Sequence, residues 1–68
     1  MNKSEAGKRI KIARVIKGFT QSELAEKLGV KQASVALWEN GRSFPRPGLL
    51  PKLSELLELS IDELLKAG

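Results

Sequence analysis

Residues 20–41 read TQSELAEKLGVKQASVALWENG and contain the signals that decide the fold. Thr20 and Glu23 form a capping box, in which the threonine oxygen accepts from the amide of Glu23 and the glutamate reaches back to the cap. Gly29 and Gly41 each stand where a helix should end, at the left-handed position that glycine favours. The segment therefore predicts two short helices joined by a glycine turn.

Similar signals continue on both sides of this segment. Ser60 and Glu63 repeat the capping box, Gly18 ends an earlier helix, and Pro47 and Pro51 bracket the start of another. No stretch alternates apolar and polar residues as a strand would. The sequence predicts an all-α fold with five helices at about residues 4–17, 21–28, 32–40, 48–58 and 61–66.

Apolar residues at helical spacing predict the core, with Val30 plugging the turn. The core candidates are Ile10, Ala13, Leu24, Ala25, Leu28, Val35, Trp38, Leu50, Leu53, Leu57, Ile61, Leu64 and Leu65.

The chain has 68 residues with no cysteine and no histidine. This length suits one domain, residues 1–68, with a modest core. Disulfides, zinc fingers, thiol chemistry and an imidazole base are excluded, and no nucleophile-and-base arrangement can be assembled. We therefore expect no enzyme activity, no metal and no cofactor.

The N-terminus is polar and basic, and no apolar run approaches a membrane span. We expect a cytoplasmic protein without a signal peptide, and without an attached ligand-sensing or protease-like domain.

The formal net charge is +4, and it is unevenly distributed. Residues 1–17 hold six basic and one acidic residue, whereas residues 48–68 hold two basic and four acidic ones. Excess positive charge suggests an anionic partner, either nucleic acid or a membrane surface. Charge alone does not separate this from a merely soluble basic protein.

The two helices of residues 20–41 can cross steeply, so that the second protrudes as the DNA major groove requires. The motifs QSELA at 21–25, LGV at 28–30 and WENG at 38–41 resemble the phage repressor and Cro helix-turn-helix family, also called the xenobiotic-response-element type. The resemblance runs from about residue 6 to 66, and LSIDELL at 59–65 fits that family's fifth helix.

The resemblance implies a compact five-helix bundle of the lambda-repressor-like type, with its helix-turn-helix unit at about 20–41. It further implies a transcriptional regulator, a repressor that binds a palindromic operator in double-stranded DNA as a homodimer. Two half-sites would then lie about 34 Å apart. The alternatives are a protein-interaction module that keeps the fold, and an antitoxin or controller-type regulator that acts with a protein partner.

The resemblance also implies roles for individual residues. Gln32 would read adenine through N6 and N7, the pairing that an amide suits, and Arg14 would form a partly buried ion pair with Glu39. The base-reading set would be Lys31, Gln32, Ala33, Ser34, Ala36 and Leu37. The phosphate-contacting set would be Gln21, Asn40, Arg42 and Arg46. Each of three residues also has a purely structural interpretation when it is taken singly. Gln21 suits the start of a helix, Asn40 suits the end of one, and Arg14 suits a solvated basic helix face.

Lys31 departs from the family pattern, which commonly has Ser or Thr at the cap of this helix. Lysine caps poorly and opposes the helix dipole, at a combined cost on the order of 1 kcal/mol. We hypothesise that Lys31 faces a phosphate or a guanine edge. Ala33, Ala36 and Leu37 suit thymine methyls, which favours an A·T-leaning half-site; alternatively, this face binds protein.

The first helix carries a second apolar stripe at Ile12, Val15 and Ile16. Packing against the terminal helix is the favoured interpretation, and a subunit contact is the alternative.

Overall fold

The computed structural model describes residues 2–66 and contains, within that range, five α-helices and no strand. A 3₁₀ turn at Pro47–Leu49 precedes the fourth helix. The helices are α1 Lys3–Ile16, α2 Gln21–Leu28, α3 Gln32–Glu39, α4 Leu50–Leu57 and α5 Ile61–Leu65. This confirms the predicted all-α, five-helix fold of the lambda-repressor-like type.

The cap signals explain most helix starts. The Thr20 box is complete: the Glu23 amide donates to Thr20 Oγ1 at 3.0 Å, and the Thr20 amide donates to Glu23 Oε1 at 2.8 Å. Only half of the second box forms, with the Glu63 amide 3.4 Å from Ser60 Oγ. An unpredicted cap starts α1, where Asn2 Oδ1 accepts from the Glu5 amide at 3.1 Å.

The fourth helix begins later than predicted, at Leu50. The Leu50 amide bonds to the Pro47 carbonyl in a 3₁₀ pattern. Since Pro51 has no amide hydrogen, it cannot supply the α-helical bond to that carbonyl. The residues before Pro51 therefore wind as a 3₁₀ turn.

The core lies where the five helices meet. Most predicted core residues are buried or packed against it, which confirms the prediction for them. The prediction is wrong for Leu65, which is 46% exposed; α5 has five residues, and its inward side is already occupied by Leu64 and Ile61. Buried residues that the prediction missed are Ala6, Gly7, Pro45 and Leu59.

Helix α3 is held against both α1 and α2. Gly29 adopts the predicted left-handed conformation, with φ of 71°, and so lets the chain turn sharply between α2 and α3. Gly7 brings the backbones of α1 and α3 together, because a Cβ there would lie 2.2 Å from the Trp38 carbonyl oxygen. These two glycines fix how α3 sits on the bundle.

The fold is tightly packed. Its radius of gyration is 10.3 Å, against about 11 Å expected for a compact chain of this length. Within residues 2–66, no helix combines the length and apolar character that crossing a membrane requires.

Candidate nucleic-acid interface

One side of α3 faces the core and the other faces solvent. Val35, Trp38 and Glu39 are buried. Of the predicted base-reading residues, Lys31, Gln32, Ala33 and Leu37 are exposed, whereas Ser34 and Ala36 are half-buried. The structure thus places all six on or beside an outward surface, which we call the α3 face.

The side chain of Gln32 is held by Gln21, at the start of α2. Gln32 Nε2 donates to Gln21 Oε1 at 3.1 Å. Gln21 is half-buried, and its own Nε2 donates to Glu39 Oε1 at 3.0 Å. The structure therefore joins a predicted phosphate contact, a predicted base reader and the buried end of α3 through a chain of hydrogen bonds.

Glu39 also bonds to Arg14 of α1. Arg14 Nε donates to Glu39 Oε2 at 2.6 Å, and Arg14 Nη2 donates to Glu39 Oε1 at 3.1 Å. Arg14 Nη1 donates to the Phe19 carbonyl at 2.7 Å, just before α2. One guanidinium thus ties α1 to the end of α3 and to the entry of α2.

The segment between α3 and α4 supplies further polar groups near the α3 face. Asn40, Arg42 and Arg46 are all exposed. Lys31 precedes α3 and makes no side-chain cap bond. Lys31 and Arg46 line one open cleft of about 380 Å³, whose other lining residues are Val30, Ser34, Trp38, Phe44 and Leu49. Two cations therefore flank an apolar floor at the start of α3.

The second apolar stripe of α1 is exposed. Ile12, Val15 and Ile16 are 59%, 58% and 76% exposed, so the favoured interpretation, packing against the terminal helix, is wrong. The buried side of α1 is formed by Ala6, Ile10 and Arg14, and at 3.6 residues per turn the stripe falls on the opposite side.

Sequence reasoning missed Gly7 and Phe44. A glycine inside a helix costs about 1 kcal/mol relative to alanine, and this cost is a signal that the position has a packing reason. Phe44 gave no such signal because it lies in an irregular segment. In the structure it packs against the core and lines the cleft.

Comparison with known proteins agrees with this geometry. Residues 10–64 match the model of a family described as helix-turn-helix. The transcriptional regulator ImmR of Bacillus subtilis is 42% identical over 59 residues, covering 87% of this chain and 46% of ImmR. The transcriptional activator BcrR of Enterococcus faecalis is 34% identical over 61 residues, covering 90% of this chain and 30% of BcrR.

The antitoxin HipB of Escherichia coli is also similar, at 40% identity over 52 residues, covering 76% of this chain and 59% of HipB. The chain thus spans between 30% and 59% of the length of these three relatives.

Proposed function

The chain belongs to the helix-turn-helix family of the phage repressor and Cro type, whose members bind DNA to regulate transcription, and we propose that it is a cytoplasmic repressor that binds a palindromic operator as a homodimer. The observation that carries the proposal is the α3 face, with Gln32 exposed and held by Gln21. B-DNA's major groove, about 12 Å wide, admits a helix presented in this way.

Base reading is assigned to the α3 face. Gln32 has an amide that pairs with N6 and N7 of adenine, and Leu37 offers an apolar surface for a thymine methyl. Lys31 and Ser34 supply the other polar groups, while Ala33 and Ala36 let the helix approach closely. Because the Gln32 amide and the apolar Leu37 suit A·T pairs better than G·C pairs, we propose an A·T-leaning half-site.

Phosphate contacts are assigned to the groups that surround this face. Gln21 stands at the start of α2, where backbone amides and the helix dipole attract an anion. Asn40 and Arg42 follow α3. Arg46 shares the cleft with Lys31, so one phosphate between them would meet two cations. Such contacts release counterions, and binding then weakens steeply as salt rises.

The subunit contact is assigned to the exposed stripe at Ile12, Val15 and Ile16. Solvent contact of apolar surface is unfavourable, and a second copy of the stripe would remove it. Three side chains provide far less than the roughly 800 Å² per partner of a standard interface. We therefore expect weak self-association in solution and dimer formation on DNA, where two half-sites hold the copies close together.

Repression would follow from occlusion. A pair of domains on half-sites about 34 Å apart physically covers the intervening DNA. The test is a reporter in which the selected operator overlaps a promoter. Lower expression with the protein present supports repression, and higher expression assigns an activating role, as the name of BcrR states for that relative.

The deciding experiment is selection of bound duplexes from a random pool, followed by affinity measurements over a range of salt. We expect an inverted repeat with adenine at a position that loses its preference in Gln32→Ala. This variant changes an exposed side chain, so the fold should be retained. Binding that shows no sequence preference, or no salt dependence, would contradict the proposal.

A protein partner is the second candidate for the stripe, favoured by the exposure of Ile16 and by similarity to the antitoxin HipB. The oligomeric state on DNA separates the two. Two copies per palindrome in the wild type and one in Ile16→Glu support the homodimer. Two copies in both proteins leave the stripe free for a different partner.

A further inference from the structure

We propose that Glu39, although buried at the end of α3, sets the adenine preference of Gln32 by fixing the orientation of two glutamine amides. The proposal rests on the proposed function, because it assigns a mechanism to the base reading by Gln32. Glu39 is thus a positioning residue that acts through Gln21, without touching the DNA.

The carboxylate of Glu39 only accepts hydrogen bonds. The Arg14 guanidinium, which only donates, occupies Oε2 at 2.6 Å and Oε1 at 3.1 Å. This pair holds the carboxylate in place, with Oε1 also reaching Gln21 at 3.0 Å.

The carboxylate of Glu39 fixes the orientation of the Gln21 amide. Facing a carboxylate, Gln21 must present its NH₂ group, because its carbonyl oxygen would place two acceptors against each other. Its Oε1 then points the other way and accepts from Gln32 Nε2 at 3.1 Å. Exchanging O and N in Gln21 would break both bonds of the chain, and exchanging them in Gln32 would break one; either exchange creates a repulsive contact. The order of donors is therefore forced by Glu39.

The bond to Gln21 determines which hydrogen-bonding groups of Gln32 remain free to contact a base. With one N–H used on Gln21, it retains one N–H and its carbonyl oxygen. Adenine presents an acceptor at N7 and a donor at N6, which match this pair of groups. Guanine presents acceptors at both N7 and O6, and it leaves the Gln32 carbonyl without a donor. The fixed amide thus favours adenine over guanine.

Glu39→Gln removes the constraint. A glutamine at this position can donate as well as accept, so the whole chain of amides can reverse. Gln32 would then direct both N–H groups outward, which suits the two acceptors of guanine. The variant should therefore lose discrimination between the two purines in addition to any loss of stability.

The experiment measures affinities for two duplexes that differ only by A·T or G·C at the position read by Gln32. A well-made bidentate pair discriminates between bases by about 5- to 160-fold. We expect Glu39→Gln and Gln21→Met each to reduce the wild-type adenine-to-guanine ratio by at least about fivefold. Glu26→Gln, the same chemical change at an exposed site on α2, should keep the wild-type ratio.

Gln21→Met guards against a folding artefact, because it cuts the chain of amides while leaving the Arg14–Glu39 pair intact. Circular dichroism establishes that each variant is folded, and if Glu39→Gln does not fold, Gln21→Met decides alone. A uniform loss of affinity with an unchanged ratio overturns the inference, since Gln21 and Glu39 would then only hold the fold.

If the proposed function is wrong, the outcome differs from these: the wild type has no base preference that depends on Gln32, and Gln32→Ala leaves the ratio unchanged. If Gln32→Ala removes an adenine preference that Gln21→Met and Glu39→Gln both retain, the DNA-binding proposal stands and the positioning role of Glu39 is overturned.

Discussion

Arg14 and Glu39 lie 25 positions apart in sequence and meet through two hydrogen bonds, at 2.6 and 3.1 Å, where each residue is only 9% exposed. The pair joins the far end of α1 to the last residue of α3. Glu39 also accepts from Gln21, and Arg14 donates to the Phe19 carbonyl. This one pair therefore links three helices of the bundle.

Breaking the pair from one side should be costly. Arg14→Met leaves the Glu39 carboxylate buried without its cation, so we expect the free energy of unfolding in urea to fall by about 3–5 kcal/mol. The matched control is Lys17→Met, which removes the more exposed Lys17–Glu58 pair and should cost about 0–1 kcal/mol. Equal losses in the two variants would contradict the special role of Arg14. The double variant Arg14→Met/Glu39→Met should recover much of the loss, because no buried charge remains.

Gly7 sets the approach of α1 to α3. An alanine Cβ there would lie 2.2 Å from the Trp38 carbonyl and 3.0 Å from that of Glu39. We expect Gly7→Ala to destabilise the protein by about 1–3 kcal/mol or more, even though alanine is the better helix former by about 1 kcal/mol. Gly48→Ala is the control, since nothing lies within 4 Å of its added Cβ. A rise in stability for Gly7→Ala would show that the two backbones can separate at little cost.

We expect Lys31 to lower the stability of the folded protein and to strengthen its binding to DNA. Lys31→Ser supplies the missing cap of α3 and removes an unfavourable charge, so the free energy of unfolding should rise by about 1 kcal/mol. Under the proposed function, affinity for the selected duplex falls, and the salt slope decreases by about one. Lys66→Ser removes the same charge beyond α5 and serves as the control. If Lys31→Ser changes neither affinity nor salt dependence, the DNA contact is rejected.

The positions of the helices could be predicted because their signals are local. The Thr20 cap bonds to a residue three positions away, and Gly29 ends α2 within its own turn. Most of the core followed from the same helical period. Leu65 was wrongly assigned to the core because the helical period does not show that a short last helix buries only a few of its apolar residues.

α1 carries two apolar stripes, and the sequence predicted that Ile10 and Ala13 face the core but not that the other stripe stays in solvent. Gly7 decides between them: its missing side chain lets α3 approach on the side of Ile10, and Ile12 and Ile16 remain in solvent. The bond from Gln21 to Glu39 was also beyond prediction, since it joins residues 18 positions apart on different helices. The sequence indicated which residues face outward on α3, but it did not show how Gln32 is held.

The capping box of α2 should make stability depend on pH through Glu23. The backbone hydrogen bond from Thr20, and then the bond involving the Thr20 side chain, hold the pKa of Glu23 below its ordinary value of 4.5; they outweigh an opposing desolvation, and Lys27 adds the smallest lowering effect. Because the folded pKa lies below the unfolded one, this stabilisation is complete above the unfolded pKa and is lost as pH falls through the folded pKa. Glu23→Gln lacks the titrating group, so the stability difference between wild type and variant should shrink as pH falls from neutral to acidic values. Urea unfolding of both proteins across that range measures the difference. A constant difference at all pH values would mean that Glu23 has the same pKa in the folded and unfolded chains.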